Sequence, residues 1–259
     1  MSDDFDFTGK TALITGASSG IGLATARWLE KRGLARLLLA DIDDAALMAH
    51  DFTCAVERMA GDVSSEAFWV DLSGTAGSID LAVLSAGIAP GGTALADTDF
   101  AEWRRCMAVN VDGVFLGLRA AMHLMPRGGS VVVMSSVSGI KPYPGTVSYA
   151  TSKAAVVQLM RVAAAEGARQ NIRVNAVAPG PVDTPIWDKA DITGALHGDQ
   201  PDEAEARAAM MVELARGTML RRVPDAAEIA GTIGFLLSDM AANMTGMVLL
   251  TDGGATLRV

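Results

Sequence analysis

The sequence predicts an α/β fold: a single domain built on one doubly wound parallel sheet of seven strands, with helices on both faces. Three observations lead there. Short apolar, β-branched runs alternate with longer helix-like stretches along all 259 residues, the order that a parallel sheet with crossover helices requires. A glycine-rich turn, Thr15-Gly-Ala-Ser-Ser-Gly-Ile-Gly22, separates the first apolar run from the first helix-like stretch. Half of the residues are hydrophobic but only 5% are aromatic, which suits alanine-rich helices packed closely on a sheet better than a β-sandwich.

The elements follow in chain order. The strands are expected at Thr11–Thr15, Leu37–Asp41, Val56–Ala60, Leu81–Ser85, Val131–Ser135, Arg173–Ala178 and Met247–Thr251. Most are apolar at consecutive positions, as strands covered on both faces are. Helices are expected at Ile21–Arg32, Ala45–Ala49, Ser65–Thr75, Phe100–Met125, Tyr149–Gln170, Asp202–Thr218 and Ala226–Ser238, the second unusually short. No repeat or low-complexity linker divides the chain, so residues 1–259 read as one domain. The one excursion is the polar stretch from Thr184 to Thr218, interrupted by Gly194, Gly198 and Pro201. Long insertions after the carboxyl end of a strand commonly serve the ligand site, so 184–218 is expected to be a substrate-binding segment.

Composition narrows the functional classes. The formal net charge of −9, with no basic run, argues against sequence-independent binding of nucleic acid. Cys54 and Cys106 are the only cysteines and form no CxxC, and none of His50, His123 or His197 sits in a ligand constellation, so neither a disulfide framework nor a metal site is expected. The acidic start, Met1-Ser-Asp-Asp-Phe-Asp-Phe7, lacks the basic and apolar regions of a signal peptide. No segment has the roughly 18–20 consecutive apolar residues that span a bilayer. A soluble, cytoplasmic protein without a membrane partner is the expectation.

Two constellations carry chemistry. In the glycine turn, small residues let the backbone approach a pyrophosphate while the following helix presents its N-terminus to the phosphates. Asp41 closes the second strand nineteen positions after Gly22, where a carboxylate accepts from both hydroxyls of an adenosine ribose and repels a 2′-phosphate. Ser18 and Ser19 stand where a base would compensate, and Ile42 follows the aspartate. NAD is therefore the expected cofactor. The second constellation is Tyr149-Ala-Thr-Ser-Lys153, with Ser136 thirteen positions upstream. Residues at i and i+4 share a helical face, so an ammonium lies beside a phenol. A free phenol, with a pKa of about 10, is a poor base at neutral pH. A unit charge about 4 Å away is worth up to about 4 kcal/mol at an effective dielectric of about 20, enough to lower the phenol by up to roughly three units. Asn110 interrupts an apolar helix in Met107-Ala-Val-Asn-Val111, and a buried amide needs partners.

From about residue 8 to residue 254, these motifs resemble the short-chain dehydrogenase/reductase family, whose Rossmann-like sheet matches the predicted fold. Thr15–Gly22 is similar to the family's TGxxxGIG, Asp62-Val63 to its adenine-contacting pair, and Asn110 to its helix asparagine. Ser136, Tyr149 and Lys153 match its catalytic trio, and Pro179-Gly180 with Thr184 its carboxamide-holding segment. Thr245-Gly246 and Asp252-Gly253-Gly254 resemble its last strand. Where the family reads Asn-Asn-Ala-Gly, this chain reads Leu84-Ser85-Ala86-Gly87, so backbone approach to the cofactor is expected to survive while the bracing amide is lost and the strand end loosens.

The resemblance implies a hydride transfer between NAD and a secondary alcohol or ketone, with Tyr149 as general acid/base. Lys153 holds the nicotinamide ribose, Ser136 fixes the substrate oxygen, and Asn110 organises a water. The cofactor contacts implied are Gly16, Ser18, Ser19, Gly20, Ile21, Gly22, Asp41, Asp62, Val63, Ser85, Ala86, Gly87, Tyr149, Lys153, Pro179, Gly180, Val182 and Thr184. Ser138, Tyr143, Ile186 and Trp187 are expected against the substrate, with Ile88, Ile140, Pro144 and Leu196 as further apolar walls. A homotetramer is implied, and Val114, Leu118, Val157 and Met160 are expected on its shared surface. Two alternatives stay open: a 3-oxoacyl thioester reductase using a basic patch of Arg127, Lys141, Arg169 and Arg173, and a catalytically silent NAD-sensing protein.

Overall fold

The computed structural model describes residues 5–187 and 203–257. Seven strands form one wholly parallel sheet: β1 (Thr11–Thr15), β2 (Arg36–Asp41), β3 (Ala55–Ala60), β4 (Leu81–Leu84), β5 (Gly129–Met134), β6 (Ile172–Pro179) and β7 (Val248–Thr251). Their order is β3-β2-β1-β4-β5-β6-β7. The chain works outward from β1 to one edge, then returns to β4 and works outward to the other. Between β1 and β4 the crossovers diverge to opposite faces, and a crevice opens at the carboxyl ends of these two strands. Register places the crevice walls level, since Thr15 pairs with both Ala40 of β2 and Leu84 of β4.

The helices are α1 (Gly20–Glu30), α2 (Asp44–Met48), α3 (Glu66–Ala76), α4 (Phe100–Met107), α5 (Gly113–Leu124), α6 (Val147–Gly167), α7 (Glu203–Arg216) and α8 (Ala226–Leu237). One face of the sheet is covered by α1 and α8, which bury Ala26, Leu29, Ile229, Ile233 and Leu236 over Ile14, Leu37 and Val132. These two helices come so close that a Cβ on Gly234 would lie 2.2 Å from the Trp28 ring. On the other face α3, α5 and α6 bury Trp69, Leu72, Leu118, Val156 and Met160 over Leu13, Ala82 and Val133. The β3 edge strand departs from the doubly buried expectation, with Ala55, Glu57 and Ala60 exposed.

Two sequence expectations change. The helix anticipated over Phe100–Met125 keeps its axis but contains a π-helical turn, Ala108–Asp112, centred on Asn110. Val114, Leu118, Val157 and Met160 point into the chain's own core, none more than 9% exposed, because α5 and α6 lie flat on the sheet and turn those positions inward. The apolar side chains these helices show to solvent are Phe115 and Val162, each 48% exposed. Leu196 and the Gly194–Pro201 stretch lie outside the described residues. Among the described residues, no helix is long and apolar enough to cross a membrane.

Candidate active site

The glycine turn fills the gap between β1 and α1, and its geometry explains its composition. Gly16 and Gly20 take φ of +67° and +52°, in the left-handed region. A Cβ on Gly16 would lie 2.8 Å from the Ala86 backbone, and one on Gly22 would lie 2.1 Å from the Gly16 carbonyl oxygen. The turn therefore closes only with hydrogen at these positions. Ser19 caps α1 without a side-chain hydrogen bond, leaving the first N–H groups of Gly20, Ile21 and Gly22 for a ligand.

Around this turn the structure collects the residues expected from sequence. Asp41 ends β2 with its carboxylate accepting from the Ser18 N–H at 2.9 Å and the Asp43 N–H at 3.1 Å. Asp43, not Asp41, caps α2 through the Ala46 N–H. Asp62 and Val63 follow β3. The Asp62 carboxylate accepts from the Ser64 N–H and hydroxyl, and the Val63 carbonyl accepts from the Trp69 indole at 2.7 Å. From the far side, Thr184 closes on the turn, within 3.4 Å of where a Gly20 Cβ would stand. Pro179 ends β6, and Gly180, Val182 and Thr184 follow, the last two buried.

The strand end at Leu84-Ser85-Ala86-Gly87 corrects the expectation of a loosened brace. The Thr15 hydroxyl accepts from the Ser85 N–H at 3.1 Å and from the Ala86 N–H at 3.2 Å, tying the ends of β1 and β4 together through β1's own side chain. These residues fit a dinucleotide: a cradle that any Cβ would fill, an open helix N-terminus beside it, and a carboxylate at the adenosine end.

The catalytic candidates converge opposite the turn. Ser136 follows β5, where its hydroxyl accepts from the Ser138 N–H at 3.1 Å. Tyr149 and Lys153 share one face of α6, with the ammonium 5.6 Å from the phenol ring centroid. Lys153 is 4% exposed and donates to the Met134 carbonyl at 3.0 Å. The buried Asn110 accepts from the Ile88 N–H through Oδ1, and its amide donates to the Ile88 carbonyl and the Ser152 hydroxyl, each at 2.9 Å. A Cβ on Gly87 would lie 3.1 Å from Asn110 Oδ1 and 3.3 Å from Lys153 Nζ, so Gly87, Asn110 and Lys153 meet at one point.

Burial pushes the Tyr149 phenol up from its ordinary value, opposed by the Ser136 hydrogen bond and reinforced by Cys106. Burial also lowers Lys153 to about 8. The lysine alone does not depress the phenol, because desolvation of a buried phenolate outweighs an ammonium set over its ring rather than against its oxygen.

Three supporting residues were not singled out from the sequence. The Ser135 hydroxyl donates to the Lys153 carbonyl and the Ser152 hydroxyl to the Tyr149 carbonyl, at 2.9 and 2.7 Å. Cys106 Sγ accepts from the Asn110 amide at 3.4 Å. Ser152 lies inside the Tyr149–Lys153 run, and its i+3 relation to Tyr149 was the available clue.

The substrate side is more open. Ser138 and Tyr143 lie on the segment after β5 and are half-buried, while Ile140 and Pro144 are exposed. Burial, followed by the nearby Asp252, raises the Tyr143 phenol. Ile186 and Trp187 form a short 3-10 turn, with the indole donating to the Val182 carbonyl at 2.7 Å. The anticipated basic patch does not assemble with all four members. Lys141 follows the carboxyl end of β5, whereas Arg127, Arg169 and Arg173 lie together at the opposite end of the sheet, away from the site. There Arg173 donates to the Leu236, Leu237 and Ser238 carbonyls.

Residues 16–256 match the family model described as Enoyl-(Acyl carrier protein) reductase. The chain is 37% identical to cis-4-hydroxycyclohexanecarboxylate dehydrogenase of Sinomonas cyclohexanicum over 96% of its own length and 98% of that protein. This chain belongs to the short-chain dehydrogenase/reductase family. It is also 36% identical to oxidoreductase UcpA of Salmonella typhimurium, over 96% of this chain and 95% of that one. A solved member titled short chain dehydrogenase/reductase family protein superposes with a TM-score of 0.82 at 31% identity, covering 98% of this chain and all of that one. As a short-chain dehydrogenase/reductase, the chain is an oxidoreductase of a family that generally uses nicotinamide cofactors.

Proposed function

We propose that this short-chain dehydrogenase/reductase is an NAD-dependent dehydrogenase of secondary alcohols, or a reductase of the matching ketones. The observation that carries the reading is the junction at which Lys153 and Asn110 meet Gly87, with Tyr149 on the same face of α6 as Lys153 and Ser136 acting on its phenol. When bound, NAD supplies the hydride acceptor for the carbinol carbon. Ser136 holds the substrate oxygen beside the Tyr149 phenol, which takes the hydroxyl proton on oxidation and returns it on reduction. Lys153 acts from beneath as the charge that compensates a phenolate, and its lowered proton affinity suits it to pass the proton onward. Asn110 fixes the Ile88 backbone and the start of α6 through Ser152. Asp41 selects NAD over NADP, because a 2′-phosphate would meet a carboxylate, and Ser18, Ser19 and Ile42 supply no positive charge there.

The substrate is an uncharged or weakly polar alcohol of modest size. Arg207, within the segment, is engaged with the Asp183 carboxylate and the Thr184 carbonyl, and Asp252 lies within electrostatic reach of the Tyr143 wall. A second reading, a carboxylate-bearing cyclic alcohol, is favoured by the 37% relative whose name specifies one. A homotetramer in the cytoplasm is the assembled form, with exposed Phe115 and Val162 supporting a shared surface on α5 and α6.

The test is absorbance at 340 nm on mixing protein, NAD or NADP, and a panel including cyclohexanol and cis-4-hydroxycyclohexanecarboxylate. NADH formed from the neutral alcohols, and little NADPH, is expected. Turnover confined to the carboxylate would favour the second reading, and equal use of NADP would remove Asp41's role.

A further inference from the structure

The unusually short α2 leaves Ala49–Cys54 to cross back over α1, and this segment is fastened at several points. Arg27 donates to the Asp51 carbonyl and lies 4.1 Å over the Phe52 ring. Glu30 accepts from the Thr53 N–H and hydroxyl. From β3, Arg58 donates to the Leu47 and His50 carbonyls. Held this way, His50 extends its ring to the glycine turn, where Nε2 lies 2.9 Å from the Ser18 carbonyl oxygen. A carbonyl only accepts, so Nε2 is the donor. Ser18 is thus gripped at both ends, its N–H by Asp41 and its C=O by His50.

We propose that His50 is a positioning residue for cofactor selectivity: by holding the Ser18 carbonyl, it fixes the turn against which the Asp41 carboxylate is aimed at the adenosine ribose. This rests on the NAD reading of Asp41 given above. Asp41 keeps one orientation only while its donors stay put, and the Ser18 N–H is one of two. Ser18 lies between Gly16 and Gly20, both in the left-handed region, where the chain has little stiffness of its own. A hydrogen bond from a strapped segment supplies that stiffness. Histidine suits the task because its ring has only two side-chain torsions to restrict and reaches farther than serine or asparagine.

The test titrates NADH and NADPH into the purified full chain, following quenching of its tryptophan fluorescence, for wild type, His50→Ala and His50→Gln. Glutamine places an amide N–H at about the reach of Nε2. His50→Ala is expected to weaken NADH roughly 3- to 10-fold, the range for one lost hydrogen bond, and to change NADPH less, narrowing the discrimination. His50→Gln is expected to stay within about twofold of wild type. An unchanged ratio in His50→Ala, equal weakening of both cofactors, or a glutamine variant as impaired as the alanine would each overturn the proposal. If His50→Ala does not give a cooperative melt, His50→Asn, whose amide is too short to reach Ser18, takes its place with the same expectations. Wild-type protein that binds both cofactors equally would instead overturn the Asp41 reading. NADH affinity in the alanine and glutamine variants would still decide whether His50 positions the turn.

Discussion

The crevice has two halves built in different ways. Around β1, β2 and β4 the walls are mainly backbone: glycines touch carbonyls, Thr15 braces two N–H groups, and Asp41 and His50 hold the N–H and the C=O of the same residue, Ser18. Beyond Tyr149 the walls are side chains on irregular segments, with Ile140 49% exposed and the Trp187 indole donating to the Val182 carbonyl. A backbone wall tolerates almost no substitution, since any added atom meets a neighbour that cannot move. A wall of side chains can be recast without disturbing the sheet. The fixed half suits a ligand common to many reactions, and the variable half suits the one that differs between them.

Substitutions in the two halves should separate accordingly. Among substitutions in the walls, the largest effect is expected at Gly22→Ala, whose methyl must displace the Gly16 carbonyl 2.1 Å away. NADH affinity measured by fluorescence titration should fall roughly 10- to 100-fold, matching about 1–3 kcal/mol of overpacking. Asp41→Ser combined with Ile42→Arg removes the repulsion and adds a phosphate partner, so the ratio of kcat/KM for NAD over NADP should drop at least about tenfold. In the other half, Trp187→Ala should raise KM for cyclohexanol roughly three- to tenfold, as loss of apolar contact does, and leave NADH affinity within about twofold.

The smallest expected effect concerns pH and stability. Lys153 binds its proton less tightly in the folded chain, near 8 against 10.5 in the open chain. Below 8 the folded state therefore carries the full cost of the buried ammonium. Between about 8 and about 10.5 the unfolded state holds more protons, so this cost is relieved as pH rises. Melting temperatures of wild type and Lys153→Met, followed from pH 7 to 10, should shift in favour of wild type by a few degrees. A constant difference would mean that Lys153 titrates alike in both states.

The same division explains what could be read from sequence. Alternating apolar runs specify a buried parallel sheet almost directly, and all seven strands fall within two residues of their expected limits, the largest offset being at the start of β5. Glycines and Asp41 were legible because backbone approach and ribose recognition allow few residue types. The π turn at Asn110 was not, since a five-residue hydrogen-bonding step leaves the apolar periodicity nearly intact. Ser135, Ser152 and Cys106 were hidden for another reason: small buried residues look alike until their partners, distant in sequence, are known. The assignment of Val114, Leu118, Val157 and Met160 to a shared surface failed because an apolar residue on a long helix says that it is covered, not by what.

The central claim is that Tyr149 transfers the proton at a junction whose cofactor half is independent of it. Tyr149→Phe keeps the ring and removes one oxygen, so it isolates that role. Its turnover of the best alcohol of the panel, read as NADH absorbance at 340 nm, should fall by about 10²- to 10⁴-fold, with NADH binding within about twofold of wild type. A Phe variant that retained more than about a tenth of wild-type turnover would contradict the assignment, because general-base catalysis is worth at least about 10²-fold.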